Sequence, residues 1–202
     1  METVTVYFDY LCPYAKRGME LASLIQEPLE LNFDWKHYSL AQGNYRGEDD
    51  WQLWQDSLSK DDRAGGKGLL PFLASYAARR QGDDFTNFRL KMFKSYHDER
   101  KPYSLENILA TAQEAGLELE RFEQDLQSDA ARASLAEEHS EAVARDISAT
   151  PTFCFDSGAA AYFRFKSLPE TAHEASQFFL DYRKMLERYP DLETIRRPYK
   201  RR

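Results

Sequence analysis

The 202-residue sequence holds two cysteines, and their settings differ. Cys12 lies within VTVYFDYLCPYAKRGMELASLIQ, where an alternating, strand-like run gives way to helical spacing; Pro13, Tyr14 and Ala15 follow it. A cysteine at the start of a helix meets amides with no intrahelical partner, here those of Tyr14 and Ala15, and the positive end of the helix dipole. Both favour thiolate over thiol, and helix N-termini are where cysteine pKa values fall to about 3.5–7.5. The thiolate is the attacking species in disulfide exchange. The position therefore predicts a reactive Cys12 that attacks disulfides or accepts a small thiol, rather than a buried, inert one. Asp9 and Tyr10 border it, and a carboxylate facing the sulfur would oppose the helix effect.

Other chemistries find less support. The four histidines, His37, His97, His139 and His173, are scattered, and no Cys–His cluster has zinc-ligand spacing. All are expected to be satisfied structural or surface histidines. The acidic stretch DLQSDAARASLAEEHSEAVARD reads as the solvated face of an amphipathic helix, not a metal site. The glycines at 65, 66 and 68 follow no strand and match no phosphate-loop spacing, so they are expected to form a hinge or loop.

The elements that must position Cys12 can be read in order. Thr3–Phe8 is β-branched and aromatic, a first strand. Pro13 suits a first helical turn, Leu21, Leu24 and Ile25 keep the helical period, and Pro28 ends it. LELNFDWKHYSL alternates as a second strand, giving a βαβ unit whose strands run parallel. From Ala41 the pattern turns to loops around WQLWQDSL and then to helices over 70–81, 84–100, 104–115, 119–127 and about 129–147. Ser104 is the expected N-cap of the third of these and Gly116 its stop. Trp51, Trp54, Phe72, Tyr76, Phe85, Phe88, Phe93 and Tyr96 make this block aromatic-rich, mostly as core, with a few able to line a cleft over Cys12. ATPTFCFD and AAYFRFK then read as an antiparallel hairpin, followed by a helix over about 170–189.

Composition bounds the function. A hydrophobic share of 42% and an aromatic share of 14% argue for a packed globular chain rather than disorder. A net charge of −7 disfavours nucleic acid as a partner, and the basic end IRRPYKRR is expected to be a solvated tail. No apolar run approaches membrane-spanning length, so no membrane association is expected. METVTVYFDY carries neither the basic nor the apolar region of a secretory signal, and so few cysteines make no disulfide scaffold. A reducing cytoplasm is the expected location.

Taken together, FDYLCPYA, SATPTFCFD and the long helical approach GLELERFEQDLQSDAARASLAEEHSEAVARDISATPTF resemble the DsbA family of the thioredoxin superfamily, especially its cytosolic, FrnE-like members. The resemblance covers nearly the whole chain. It implies an α/β, thioredoxin-like fold, a βαβ half and an αββα half around a central mixed sheet, with an inserted α-helical domain. The corresponding division is residues 1–40 and 128–190 for the thioredoxin-like domain, 41–127 for the insert and 191–202 for the tail. It also implies a cis bond at Pro151, facing Cys12, with the N–H and C=O of Thr150 kept out of the ladder to pair with substrate. The Thr150 side chain is a further candidate to bond the sulfur. Pro13 and Tyr14 occupy the positions between the two cysteines of dithiol members, where Tyr14 would cover the thiolate or simply lie exposed.

One position departs from the family: the second active-site cysteine is Ala15. With Pro151 beside Cys12, Cys154 would lie three strand residues further on, about 10 Å at roughly 3.3 Å per residue. Disulfide bonding needs Cα atoms within about 7 Å, so Cys154 is expected to be a core residue. Cys12 is thus expected to work as a monothiol with no tightly bound cofactor, its cycle finished by glutathione or another low-molecular-weight thiol. The expected partners are disulfide-containing or glutathionylated proteins or a small thiol, and the expected assembly is a monomer or homodimer. Two alternatives remain. One is a kappa-class glutathione transferase or 2-hydroxychromene-2-carboxylate isomerase-like enzyme, for which serine is expected at position 12. The other is a redox-inactive binding module.

Overall fold

A computed structural model describes residues 2–58, 67–82 and 84–195. The β-branched, aromatic first segment forms β1 (Glu2–Phe8), and Pro13 opens α1 (Pro13–Ile25). β2 (Leu31–His37) follows, its residues alternating buried and more exposed as its sequence alternates. β1 and β2 pair in parallel, with Val6 opposite Trp35 and Phe8 opposite His37. α1 is therefore the crossover of a βαβ unit, and it delivers position 12 to the end of β1.

Between the second and third strands, every regular element among the described residues is a helix, joined by loops. The series begins with the short α2 (Leu40–Gly43) and a 3₁₀ turn at Leu53–Gln55. α3 (Leu69–Arg79), α4 (Asp84–His97), α5 (Leu105–Glu114), α6 (Leu119–Gln127) and α7 (Asp129–Ala144) follow. β3 (Thr152–Cys154) and β4 (Ala160–Tyr162) form an antiparallel hairpin, and α8 (Ala172–Arg188) closes the order. The mixed sheet runs β2-β1-β3-β4, with β3 antiparallel to β1. The chain is thus an α/β thioredoxin-like fold.

Several expected boundaries shift for local reasons. α4 ends at His97 rather than 100, since Arg100 has φ +58°, and α7 ends at Ala144 rather than 147, with Asp146 at φ +57°. Left-handed residues cannot continue a right-handed helix. AAYFRFK is strand only over Ala160–Tyr162. Ser104 does cap α5, its Oγ accepting the Asn107 N–H, and Gly116 follows with φ +81°. Gly65, Gly66, the Phe85 side chain and the end of the basic tail lie outside the described residues. Gly68 lies in the bend before α3, as its N-cap at φ +82°, in keeping with the expected loop.

Aromatic packing joins the helices to the sheet. Tyr10, just past β1, is wholly buried, with Phe8 and Phe93 rings 5.0 Å away and Tyr103 and Phe72 at 5.9 and 6.1 Å. The Arg89 guanidinium is buried here too, 5.0 Å from the Trp35 ring centre, and burial lowers its pKa to about 9.

Candidate active site around Cys12

Cys12 ends a tight turn at the top of β1. Its N–H donates to the Asp9 carbonyl at 3.1 Å, and its backbone is extended as the N-cap of α1. The Asp9 carboxylate is held by two backbone amides. It is fully buried and accepts the N–H groups of Leu11 at 2.8 Å and Leu40 at 2.7 Å, tying the turn to the start of α2. On the other side, the Tyr10 carbonyl accepts from His97 Nε2 at 2.8 Å and the Tyr103 hydroxyl at 3.4 Å. Lys16, one turn into α1, bonds Asp98 at 2.7 Å. The end of α4 thus grips the chain on both sides of Cys12, which gives His97 a definite partner. Its pKa is lowered, chiefly by burial, so the ring is neutral near pH 7.

The Thr150–Pro151 peptide bond is cis, and the Thr150 carbonyl stands directly across from the sulfur. The Cys12 thiol donates to it at 3.2 Å. This corrects the expectation that both backbone groups of Thr150 would be free: the carbonyl is already engaged by the thiol. The Thr150 hydroxyl is not what bonds the sulfur; its Oγ1 is buried without a hydrogen-bond partner. A second correction concerns the helix amides. The Ala15 N–H donates to the carbonyl of Cys12 itself at 3.1 Å, and the sulfur makes no capping bond. The helix acts on Cys12 through its dipole and open first turn rather than through a bond from Ala15. Cys12 is itself buried, 7% exposed, and belongs to the hydrophobic core, which corrects the expectation that it would not be a buried cysteine.

Pro13 is exposed and serves as the first residue of α1. Tyr14 is half-buried, with Arg164 Cζ 4.4 Å and Arg17 Cζ 5.6 Å from its ring centre. Arg17 also donates from Nη1 to the Phe165 carbonyl at 3.1 Å. Tyr162, at the end of β4, shares this neighbourhood. Its pKa is raised first by burial and then by the charge of Cys12, against the pull of Arg164. Sequence reading missed Arg17, Tyr162 and Arg164. Phe163 N–H pairs with the Pro151 carbonyl at 3.0 Å, which carries the segment after β4 alongside the prolyl turn. That hairpin register was the available signal.

Cys154 is buried and reduced, and burial raises its pKa. It faces Thr5 in the ladder and packs with Tyr7, Tyr38, Ala142 and Ile147. Phe153, its neighbour in β3, packs on the opposite, α1-facing side. Period-two alternation therefore puts the whole sheet between the two sulfurs.

The acidic helix departs from its expected role as a purely solvated face. Glu138 is buried, 2.7 Å from both His37 Nδ1 and Arg79 Nη2. Burial raises its pKa, but the charges of His37 and Arg79 prevail and bring it to about 2. His139 is also buried: its Nδ1 accepts the Ser39 N–H at 3.2 Å and its ring stacks on Tyr38 at 4.8 Å. His173 is exposed. No group of three or more His, Cys, Asp or Glu side chains among the described residues has the geometry of a metal site. No helix among them is long and apolar enough to cross a membrane. A cleft of about 250 Å³, lined by Met19, Gln26, Phe33, Trp35 and Arg89 among others, runs along the second half of α1, away from Cys12.

Comparisons with known proteins agree with this arrangement. A family model described as the DSBA-like thioredoxin domain matches residues 3–172. Among solved structures, the cytosolic disulfide reductase DsbM from Pseudomonas aeruginosa superposes with a TM-score of 0.64 at 16% identity, covering 91% of this chain and 99% of that one. A second DsbM structure, with GSH, gives 0.62 at 18%, covering 94% and 100%. A thioredoxin-like oxidoreductase from Silicibacter pomeroyi DSS-3 gives 0.59 at 19%, covering 90% and 86%. A 2-hydroxychromene-2-carboxylate isomerase gives 0.63 at 16%, covering 95% and 100%. At these identities the structural matches speak for the fold alone. A comparison with curated proteins gave no match.

Proposed function

The chain belongs to the DSBA-like thioredoxin domain family, and from that premise we propose that it is a thiol–disulfide oxidoreductase or isomerase working through Cys12 alone. The observation that carries this reading is the Cys12 sulfur 3.2 Å from the Thr150 carbonyl, at the open end of α1. Ala15 replaces the resolving cysteine and Cys154 lies across the sheet, so nothing inside the chain can release a mixed disulfide. An external thiol must do so. In the cycle, the Cys12 thiolate attacks one sulfur of a substrate disulfide, forming a Cys12 mixed disulfide and expelling the other sulfur as a thiolate that is then protonated. A small-thiol thiolate attacks that mixed disulfide, regenerating Cys12 and leaving as a disulfide. One disulfide is consumed and one formed, which suits deglutathionylation or isomerisation better than net oxidation.

The substrates we propose are glutathionylated or disulfide-containing proteins, with glutathione or a similar thiol as co-substrate and the cytoplasm as location. The DsbM structures are of a cytosolic disulfide reductase, one of them with GSH, and they support this choice. Residues 1–40 and 128–190 would form the catalytic unit and the helices of 41–127 its wall. Pro13, Tyr14, Thr150 and Pro151 would contact substrate. Turnover of a glutathionylated peptide, coupled to reduction of the released disulfide, tests the reading: Cys12→Ser should abolish it. Conjugation of an electrophile that survives Cys12→Ser would favour the transferase or isomerase alternative instead. Peptide binding with neither activity would favour the binding module.

A further inference from the structure

Residues Asp9 to Cys12 form the turn that carries the chain from β1 into α1, closed by the Cys12 N–H on the Asp9 carbonyl at 3.1 Å. The central peptide of this turn, between Tyr10 and Leu11, is held at both edges. Its N–H donates to the Asp9 carboxylate at 2.8 Å, and its carbonyl accepts from His97 Nε2 at 2.8 Å. A carbonyl can only accept, so His97 carries a proton on Nε2. Tyr103 also reaches this carbonyl, at 3.4 Å, but its hydroxyl has a single proton and lies nearer the Met92 carbonyl, at 3.2 Å. His97 is therefore the principal donor. Its ring stacks on Phe93 at 5.9 Å and meets Tyr96 edge-on at 5.0 Å, which fixes its direction. The clamp sits two residues from a sulfur that is itself anchored to the Thr150 carbonyl at 3.2 Å.

We propose that His97 is a positioning residue for the Cys12 reaction: by fixing the Tyr10–Leu11 peptide it keeps the sulfur aimed beside the Thr150 carbonyl. This rests on the disulfide-exchange reading and adds to it a residue of the helical segment. The step served is attack of the Cys12 thiolate on a disulfide sulfur. The new bond to Cys12 forms, the original disulfide bond breaks, and the other sulfur leaves as a thiolate to be protonated. His97 acts on this step through the turn. Loops that follow strands are the mobile parts of a fold, and a nucleophile mounted on one is aimed only as well as the turn is held. The contribution lies in the donor. A side chain that places an N–H where Nε2 stands should serve, and a ring of similar shape without one should not.

The test measures the second-order rate at which Cys12 takes up half of hydroxyethyl disulfide, a small uncharged probe, read as a single adduct by intact mass. It compares the full wild-type chain with His97→Phe and His97→Gln. Phenylalanine keeps a ring against Phe93 and Tyr96 but has no donor, whereas the glutamine amide can stand where Nε2 does. A 1 Å misplacement can cost a reaction about 100-fold. With the Asp9 bonds and the Lys16–Asp98 pair still in place, His97→Phe should slow uptake by about tenfold. His97→Gln should stay within about twofold of the wild type, since it restores the hydrogen bond. Urea unfolding identifies conditions in which every variant is fully folded, so that aim is separated from stability. Nitrogen NMR of the wild-type imidazole needs no variant, and it should show the His97 proton on Nε2 near neutral pH. A folded His97→Phe that reacts at the wild-type rate, a His97→Gln as slow as His97→Phe, or a proton on Nδ1 alone would overturn the positioning role while leaving disulfide exchange intact. A wild type that takes up no adduct would overturn both.

Discussion

Gly18 and Pro151 touch so closely that no side chain fits between them. A Cβ at position 18 would lie 2.7 Å from the Pro151 Cγ and 3.0 Å from its Cβ. Glycine is a poor helix former, so its place in the middle of α1 has a tertiary reason: it lets the helix that carries Cys12 settle against the residue after Thr150. Gly18→Ala should gain helix propensity yet lose about 1–3 kcal/mol through the overpacked contact. Urea unfolding measures that loss. The same variant should react with a disulfide probe at an altered rate, because α1 must shift relative to the Thr150 carbonyl.

Ala15 is wholly buried one turn after Cys12. Restoring a thiol there with Ala15→Cys should convert the monothiol into a dithiol. The expected result, read by intact mass, is an internal 12–15 disulfide and release of a bound mixed disulfide without added thiol. Retention of the adduct in Ala15→Cys would show that the geometry at α1 does not permit resolution.

His139 predicts a pH dependence of stability. Burial lowers its pKa from 6.5 to about 4, and its Nδ1 can accept the Ser39 N–H only while unprotonated. Above about 6.5 folded and unfolded forms are both neutral and the contribution is complete. Between 6.5 and 4 the unfolded chain binds the proton more readily, so stability falls with pH by an amount on the order of 3 kcal/mol. His139→Phe keeps an aromatic ring beside Tyr38 but does not titrate. Its unfolding free energy should therefore decline less over that window than the wild type's.

Glu138 acts at lower pH and with its own sign. Its depressed pKa of about 2 means that its contribution is present above the ordinary carboxylate value of 4.5 and is lost as pH falls toward 2. Glu138→Ala leaves His37 and Arg79 without their common anion. At neutral pH it should cost about 3–5 kcal/mol, as removal of one partner from a buried pair does. Chemical denaturation at pH 7 checks this, and a loss below 1 kcal/mol would contradict it.

Much of the frame was legible because it obeys local rules. The alternation of Leu31, Phe33 and Trp35, Pro13 as helix starter, Ser104 as cap and Gly116 as stop each depend on residues within a few positions. Cys154 was legible as core for a related reason: a strand residue beside Phe153 has only the other face to occupy. What escaped depends on contacts distant in sequence. Gly18 looked like an ordinary helical residue until Pro151 was beside it. α7 carries charge on all sides, so nothing local marked Glu138 and His139 as its buried members. Arg17 and Arg164 meet only through the hairpin register that lays Phe163 against Pro151. The four-residue α2 is too short for periodicity to reveal.

Intact-mass analysis of Cys12 after mixing with a glutathionylated peptide tests the central claim most directly. The account predicts one glutathione adduct, absent in Cys12→Ser, unchanged in Cys154→Ser, and stable until a small thiol is added. An unmodified protein, or an adduct that disappears without added thiol through Cys154, would contradict it.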